Sequence, residues 1–322
     1  MTKTLPIDDG GHSKLAPSSA SRWTVCTASP AFIEANQDRI PKDNGSAYAD
    51  EGTLAHDWAK KILLGESEIT DLPEDLVEPV GFYLNHCRRI EESNGGTKFV
   101  ERQVPLFYRP QDNGTVDFAL LTAKALRFRD YKHGEGVTVE AKGNKQLAIY
   151  AFSLITDLEE MGLWEFPDEM LVDMGIVQPR CREGEPIKLW AITVKELRDF
   201  CIEIRTAANL IRYAEEGMNG AEDKLHFVPV EGDAGSCRWC PAKGFCKARA
   251  EKLQEPIPFD VVGAFEDLDE GQTIAKDKAP APEQLTDEEI AALVLATPDL
   301  VKWLNDVKEY ACLLYTSDAA DE

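Results

Sequence analysis

The sequence predicts an α/β protein with a helical C-terminal tail. The first observation behind this is a change of apolar period along the chain, from helical to short alternating runs and back. The second is a Pro-, Ala- and Lys-rich stretch that precedes a last helical pattern. With 322 residues and 43% hydrophobic content, the chain is long and apolar enough to bury at least one sizeable core.

Two helices are predicted before the first strand. The stretch "YADEGTLAHDWAKKILLG" spaces apolar residues three and four apart and ends at Gly65, which predicts a helix from about Ala47 to Leu64. The next helical pattern is "EDLVEPVGFYLNHCRRIEES". Residues 1–20 are polar and are expected to be flexible, so we expect the folded body to begin at residue 21.

Strands dominate the middle of the chain. Short runs bounded by Gly and Asn predict three of them, in "KFVERQVPLF", "GTVDFALLTA" and "KALRFRDYKHG". The "TAK" between the last two predicts a turn and therefore an antiparallel pair. A helix in "NKQLAIYAFSLITDLEEM", strands in "EMLVDMGIVQPR" and "IKLWAIT", and a long helix from about Val194 to Glu216 complete a body that we expect to end at residue 252.

Three segments are predicted beyond this body. Residues 253–284 contain "GQTIAKDKAPAPEQ" and predict a linker. Residues 285–311 form the helical tail, which we predict to be a pair of helices. The last stretch, "CLLYTSDAADE" at 312–322, resembles the translation of a transposon-type sequencing adapter and is interpreted as foreign to the protein.

The charge distribution bears on possible partners. The formal net charge is −23, and residues 251–322 carry 18 acidic and 5 basic side chains, so more than half of the excess lies in the tail. Nucleic-acid binding draws on Lys and Arg. In the cysteine-rich segment the balance is locally basic, which predicts either a solvated face or a strip that meets phosphate. Its basic residues are Arg238, Lys243, Lys247, Arg249 and Lys252.

The sequence predicts a cytoplasmic protein without a membrane partner. It has no run of about 18 apolar residues, and its N-terminus lacks the apolar core of a signal peptide. Eight cysteines, three of them tightly clustered, fit a reducing compartment and a metal or cluster site better than a disulfide framework.

Candidate chemistry lies in the strand region. Asp117 ends "NGTVD", and alternation along the next strand places Asp130 and Lys132 on one face with Tyr131 on the other. Two converging carboxylates hold Mg²⁺, and a lysine beside them orients a metal-polarised water. A surface ion pair in a hairpin is the alternative.

Three further residues support the catalytic interpretation. Gln146 and Tyr150 share one face of the following helix, and His56 offers a neutral imidazole as a ligand, although a purely structural histidine is the alternative. "VEAKG" supplies a rival pair, Glu140 and Lys142. We reject it because it abuts the helix of Gln146 and leaves "RDYKHG" unexplained. His133, beside the favoured pair, is predicted to be able to touch DNA.

The segment "GSCRWCPAKGFCKARAEK" carries three cysteines spaced two and five residues apart. Cys237, Cys240 and Cys246 are an incomplete tetrahedral set, so a fourth ligand must come from elsewhere. The other internal cysteines lie in apolar patterns and predict buried, chemically inert side chains. They are Cys87, Cys181 and Cys201.

In their order and rough spacing, "GTLAH", "GTVD", "DYK" and "QLAIY" resemble the RecB-like branch of the PD-(D/E)xK nuclease superfamily. Iron-sulfur members of that branch, including the AddB-type recombination nucleases, place one Cys before these motifs and a C-x2-C-x5-C set after them. The resemblance covers residues 15–252 approximately. More closely, "SKLAPSSASRW", "AYADEGTLAHDWA" and "DYKHGEGVTVEAKGNKQLAIYA" are similar to an uncharacterised nuclease-like family of phages and prophages.

The resemblance implies a restriction-endonuclease-like core, a central mixed sheet flanked by helices, over residues 21–252. It implies a site for Mg²⁺ or Mn²⁺ in which Lys132 assists the attacking water while Gln146 and Tyr150 position Lys132 or the scissile strand. The implied metal ligands are His56, Asp117, Asp130 and the carbonyl of Tyr131.

The resemblance also implies that a [4Fe-4S] cluster ties the N-terminal segment to the end of the body. Its ligands would be Cys26, Cys237, Cys240 and Cys246. Zn²⁺ is the alternative, since four thiolates also suit tetrahedral zinc. Trp23 and Trp239 flank these ligands, which predicts either packing over the cluster or stacking with an unpaired base.

The implied function is that of a metal-dependent DNA nuclease, an exonuclease acting on single strands or DNA ends in phage recombination or replication inside a bacterial host. A phage single-strand-binding or annealing protein is the expected protein partner. One alternative is a cluster-containing nucleic-acid-binding protein with weak catalysis. Another is a structural phage component whose zinc-bound cysteines brace the fold.

Overall fold

The computed structural model describes residues 13–40, 47–218, 220–232, 235–255 and 286–318, without the side chains of 47–49, 254 and 314–318. Most of the predicted linker and of the predicted flexible N-terminus lies outside these residues. The chain divides into two compact units. The first combines Met1–Thr24 with Asp43–Glu216, and the second combines Val25–Lys42 with Gly217–Glu322.

The helices and strands follow in chain order. The first unit contains α1 (Ala20–Trp23), α3 (Ala47–Leu63), α4 (Glu74–Asn94), β1 (Thr97–Leu106), β2 (Arg109–Leu121), β3 (Ala125–Tyr131), α5 (Lys145–Glu160), β4 (Leu171–Val177), β5 (Ile187–Thr193) and α6 (Val194–Glu215). The second contains α2 (Ser29–Ala35), α7 (Lys247–Gln254) and α8 (Asp287–Asp318). No helix among the described residues is long and apolar enough to cross a membrane.

The first unit is built on a five-stranded sheet in the order β1-β2-β3-β4-β5. Only β3 and β4 pair in parallel; the other neighbours are antiparallel. A parallel pair needs a long crossover, which α5 supplies. The sheet is therefore mixed and flanked by helices, as predicted, and the α/β class with a C-terminal helix is confirmed.

Apolar side chains fix the helices against the sheet. On one face, Leu76, Val80 and Leu84 of α4 pack with Phe118 and Leu120 of β2 in one buried cluster, to which α3 also contributes. Burying each such side chain is worth about 1.5–3 kcal/mol. The opposite face carries α5, which is buried along most of its length and packs in turn on α6.

The sequence predictions of individual elements hold for the body and fail in the tail. The "TAK" turn forms as predicted, with Thr122 Oγ1 accepting from the amides of Lys124 and Ala125. The predicted helical pair is wrong, because one helix, α8, runs through Pro298. A proline removes a single backbone hydrogen bond, and the surrounding turns continue the helix. This helix also includes residues 312–318 of the segment interpreted as adapter-derived.

In the second unit, a buried arginine fastens α8 to the cysteine-rich segment. Arg249 is fully buried and pairs with both carboxylate oxygens of Glu231, at 2.6 and 2.8 Å, and with Asp306 of α8 at 2.7 Å. Lys243 also pairs with Asp306, and Lys252 pairs with Glu255. Three of the five basic residues predicted to face solvent or phosphate therefore have carboxylate partners. For Arg249 that prediction is wrong.

His86 of α4 makes the stability of the first unit depend on pH. Burial, together with the neighbouring Arg129, lowers the pKa of His86 to about 4, and its Nε2 accepts a hydrogen bond from Arg129 Nε at 2.9 Å. The unfolded chain gains a proton here below about pH 6.5, whereas the folded chain does not until about pH 4. Stability should therefore fall as the pH falls through this window.

Because His86 is partly exposed, we expect it to account for a loss of about 1 kcal/mol between pH 7 and 5. Urea unfolding at both pH values, compared with His86→Gln, measures this, since a glutamine oxygen can still accept from Arg129. The variant should lose correspondingly less stability on acidification. An identical pH dependence in the two proteins would contradict the prediction.

Candidate active site

Strand pairing brings the predicted carboxylates together. Phe118 of β2 lies opposite Arg129 of β3, so Asp117 and Asp130 occupy the next facing positions. The backbone N–H of Tyr131 donates to Asp117 Oδ2 at 2.8 Å. Lys132 Nζ lies 2.8 Å from Asp130 Oδ2. The convergence of two carboxylates and one ammonium that the sequence predicts is present.

His56 of α3 reaches the same place. Its Nδ1 lies 3.8 Å from Asp117 Oδ2 and 3.6 Å from Oε1 of Glu101, a β1 residue that the sequence reasoning missed. Ligand atoms of His56, Glu101 and Asp117 all lie within 4.8 Å of one another, which is close enough to surround one ion. Asp130 is adjacent to this group without belonging to it.

Glu101 adopts an unusual backbone conformation. Its φ is 44°, the left-handed region, which costs a non-glycine residue about 1–3 kcal/mol. The β1–β2 register pairs Val100 with Phe118 and Arg102 with Val116, so Glu101 stands level with Asp117 but leaves the regular ladder. The irregularity directs a third carboxylate into the site.

The crowded carboxylates create a demand for positive charge. Burial, and then the nearby Asp130, raise the pKa of Asp117 to about 7. Burial disfavours the charged form of His56, but Glu101 and Asp117 outweigh it and raise the pKa of His56 to about 9. A bound cation would relieve this repulsion and replace the proton of His56.

Asp130 provides a further test of whether a cation fits. This side chain is only 2% exposed, and its Oδ2 makes no hydrogen bond of acceptable geometry although Lys132 is close. A buried carboxylate oxygen without a hydrogen bond is costly unless another partner satisfies it. Carboxylate oxygens and one imidazole are donors suited to Mg²⁺ or Mn²⁺. The residues therefore fit such an ion.

Lys132 is held as an ammonium. Burial alone would lower its pKa, but the contact with Asp130 outweighs burial, so the net pKa is raised. Its Nζ also donates to Gln146 Oε1 at 3.1 Å, and Gln146 in turn hydrogen-bonds with Tyr150. The face of α5 that carries Gln146 and Tyr150 thus meets Lys132, as predicted. In this state Lys132 can orient a water or stabilise negative charge but cannot accept a proton.

Tyr131 connects the site to a second polar group. Its ring contacts the ring of His56 edge-on, with centroids 5.3 Å apart, and its hydroxyl lies 2.8 Å from His133 Nδ1. His133 is only 5% exposed and its Nε2 contacts Arg180 and Glu51. The prediction that His133 touches DNA is wrong, because these partners enclose it. The metal-ligand role of the Tyr131 carbonyl stays a prediction.

The rejected Glu-x-Lys pair faces solvent. Glu140 is exposed and pairs with Lys188 at 3.0 Å, and Lys142 is exposed. Neither belongs to the group formed by His56, Glu101 and Asp117. Lys142 therefore offers a matched control for Lys132.

Gly114 in the "GTVD" motif makes room for Tyr150. A Cβ at Gly114 would lie 2.7 Å from Tyr150 Cε1 and 3.0 Å from Leu106 Cδ2. We expect Gly114→Ala to cost about 1–3 kcal/mol in the free energy of unfolding and to displace Tyr150. Chemical denaturation measures the loss. Gly52→Ala is the control, since a Cβ there meets nothing within 4 Å and helix propensity favours alanine. Equal stability of the two variants would contradict the expected clash.

The four predicted cluster cysteines all belong to the second unit. The segment after Cys26 pairs with the chain before Cys237, since Ala28 N donates to the carbonyl of His226 and His226 N donates to Thr27 Oγ1. Cys26 and Cys237 are buried, and Cys240 and Cys246 are half-buried. The structure thus places the N-terminal cysteine with the other three.

The thiols of this group are protonated in the absence of a cation. Burial, and then Glu231, raise the pKa of Cys237 to about 12. Burial raises the pKa of Cys246, with Cys26 adding to the effect while the backbone amide of Arg249 opposes it. Metal binding would displace these protons. Of the remaining cysteines, Cys87 and Cys201 are buried as predicted, whereas the prediction for Cys181 is wrong, because it is half-buried.

One comparison with known proteins bears on the whole chain. The model of a family described as "Protein of unknown function (DUF2800)" matches residues 12–75 and 67–320. The match therefore includes both the carboxylate site and the cysteine-rich segment, as well as most of α8.

Proposed function

The chain belongs to the DUF2800 family, and we propose that it is a metal-dependent nuclease of the PD-(D/E)xK type that hydrolyses phosphodiester bonds in DNA. The observation that carries the proposal is the convergence of Asp117, Asp130 and Lys132 beside His56 and Glu101. This combination of carboxylates, imidazole and ammonium suits a hard cation and a phosphate. A structural ion pair alone would not require the left-handed backbone of Glu101.

The proposed mechanism assigns a separate task to each side chain. When bound, Mg²⁺ or Mn²⁺ supplies a polarised water and neutralises charge on the phosphate. His56, Glu101, Asp117 and Asp130 would hold the ion. Lys132, fixed between Asp130 and Gln146, would direct its ammonium at the water or at the developing negative charge.

Tyr150 and Tyr131 act through their neighbours. Tyr150 holds Gln146, which holds Lys132. Tyr131 positions Asp117 through its backbone N–H and His56 through its ring. They are positioning residues, and neither needs to contact the substrate.

We propose that Cys26, Cys237, Cys240 and Cys246 hold a [4Fe-4S] cluster. Among these four, all of which the structure describes, no three sulfurs lie within 4.8 Å of one another. Tetrahedral zinc would hold all four about 3.8 Å apart. A cluster attaches each thiolate to a different iron and so suits the wider set. Visible absorbance and iron content after anaerobic purification test this, because zinc thiolates are colourless.

The proposed substrate is single-stranded DNA or a DNA end, in phage recombination or replication, with a single-strand-binding or annealing protein as partner. The motif resemblance supports this assignment. The first experiment is digestion of end-labelled single- and double-stranded DNA with Mg²⁺, with Mn²⁺ and with EDTA. We expect cleavage that requires the metal. DNA that is retained on the protein but never shortened would replace the nuclease with a cluster-containing binding protein.

A further inference from the structure

An exposed tryptophan stands on the turn between two proposed cluster ligands. Trp239 is 68% exposed, the highest value for any aromatic side chain in the described part of the chain. Trp23, by contrast, is fully buried, packs on the ring of Tyr108 and donates its indole N–H to the carbonyl of Ala16. Packing thus accounts for Trp23 but not for Trp239.

The backbone on both sides of Trp239 is fixed. Cys240 N donates to the carbonyl of Cys237, Cys237 N donates to that of Val230, and the hydroxyl of Ser236 donates to that of Val228. Trp239 therefore projects from an ordered turn. A preordered aromatic ring loses little conformational entropy when it binds a partner, which favours a binding role.

The chemistry around Trp239 favours an anionic, planar partner. The Arg238 guanidinium lies 5.3 Å from the centroid of the Trp239 ring. Lys247 is exposed at the start of α7. An exposed aromatic ring beside cations matches a base face with its adjoining phosphate. A duplex hides its base faces within the stack, so the match is to an unpaired strand.

We propose that Trp239 stacks on an unpaired base of single-stranded nucleic acid, with Arg238 beside the adjoining phosphate. The inference rests on the proposed function in taking nucleic acid as the ligand. It adds a contact in the second unit, whereas the metal-ligand residues belong to the first. Base stacking on an aromatic side chain is worth about 1–3 kcal/mol, which corresponds to about 5–150-fold in affinity.

The test is fluorescence anisotropy of labelled oligo(dT), and of a duplex of equal length, with anaerobically purified full-length protein in EDTA. We expect Trp239→Ala to weaken oligo(dT) binding about tenfold or more while changing duplex binding little, and Trp239→Phe to retain most of the affinity. Tyr213→Ala is the matched control, because Arg212 lies 4.6 Å from the Tyr213 ring, an equivalent pair in the first unit. It should leave oligo(dT) binding unchanged.

Two results would overturn the inference. One is unchanged oligo(dT) affinity in a Trp239→Ala protein that retains its visible absorbance; the other is an equal loss for oligo(dT) and duplex. Cleavage in Mg²⁺ reports on the proposed function separately. Trp239-dependent binding without cleavage would leave the inference standing and remove the nuclease. Cleavage with binding indifferent to Trp239 would do the reverse.

Discussion

Lys132→Ala should reduce metal-dependent DNA cleavage by about 100- to 1000-fold. Nζ of Lys132 lies 2.8 Å from Asp130 and donates to Gln146, so it is fixed beside the proposed metal ligands. Removing one preorganised charge of this kind from a hydrolytic site costs about 3–4 kcal/mol in the transition state. Initial rates on end-labelled DNA at saturating Mg²⁺, for wild type and variant at equal concentration, measure the effect.

Lys142→Ala is the matched control for this prediction. Lys142 is an exposed lysine of the rival Glu-x-Lys pair, so its loss should leave cleavage unchanged. If Lys142→Ala lost activity and Lys132→Ala did not, the assignment of the two pairs would be reversed. Equal activity in all three proteins would remove Lys132 from the mechanism.

Lys132→Arg separates catalysis from a structural ion pair. Arginine keeps a positive charge near Asp130, so we expect thermal stability close to that of wild type. Its planar guanidinium places that charge differently from the compact ammonium of lysine, so cleavage should still fall at least about tenfold. A variant with wild-type activity would mean that charge alone is needed. Wild-type activity in Lys132→Ala together with lowered stability in that variant would favour the simple hairpin ion pair.

Sequence periodicity was sufficient for the elements that position the carboxylates. Asp117 and Asp130 end alternating runs joined by "TAK", so a tight hairpin brings them level whatever the rest of the chain does. Gln146 and Tyr150 share a helix face for the same local reason. These relations depend on residues close in sequence, where the periods of helix and strand determine which side chains meet.

Glu101 could not be assigned in this way. An acidic residue inside "KFVERQVPLF" looks like the solvent-facing member of an alternating strand. Its place in the site depends on a left-handed φ that interrupts the β1–β2 ladder. Packing across the sheet selects that conformation, and neither alternation nor residue type signals it.

His133 and Arg249 failed for a different reason. Each lies in a polar stretch that predicts exposure, and each is buried by partners distant in sequence. Arg180, which encloses His133, follows it by 47 residues, and Asp306, which pairs with Arg249, follows that arginine by 57. A buried charge is tolerated only when such partners are in place. Burial of a polar residue therefore remains invisible until the tertiary contacts are known.

Cys26→Ala should remove the visible absorbance of the proposed cluster and destabilise the second unit, as Cys240→Ala should. Cys26 lies more than 200 residues before Cys237, yet the structure groups both with Cys240 and Cys246 in one unit. Cluster binding and folding are coupled, so loss of one ligand should cost at least about 3 kcal/mol, or about 10 °C in the melting temperature.

Cys181→Ala serves as the control for the cysteine variants. Cys181 is also a partly accessible free thiol but belongs to the first unit, so its loss should leave absorbance, iron content and melting temperature unchanged. If Cys26 were only a small buried side chain, Cys26→Ala would keep its iron and lose little stability. That outcome would remove Cys26 from the ligand set. Loss of iron from the Cys26 and Cys240 variants, but not from Cys181→Ala, would identify the N-terminal cysteine as the fourth ligand.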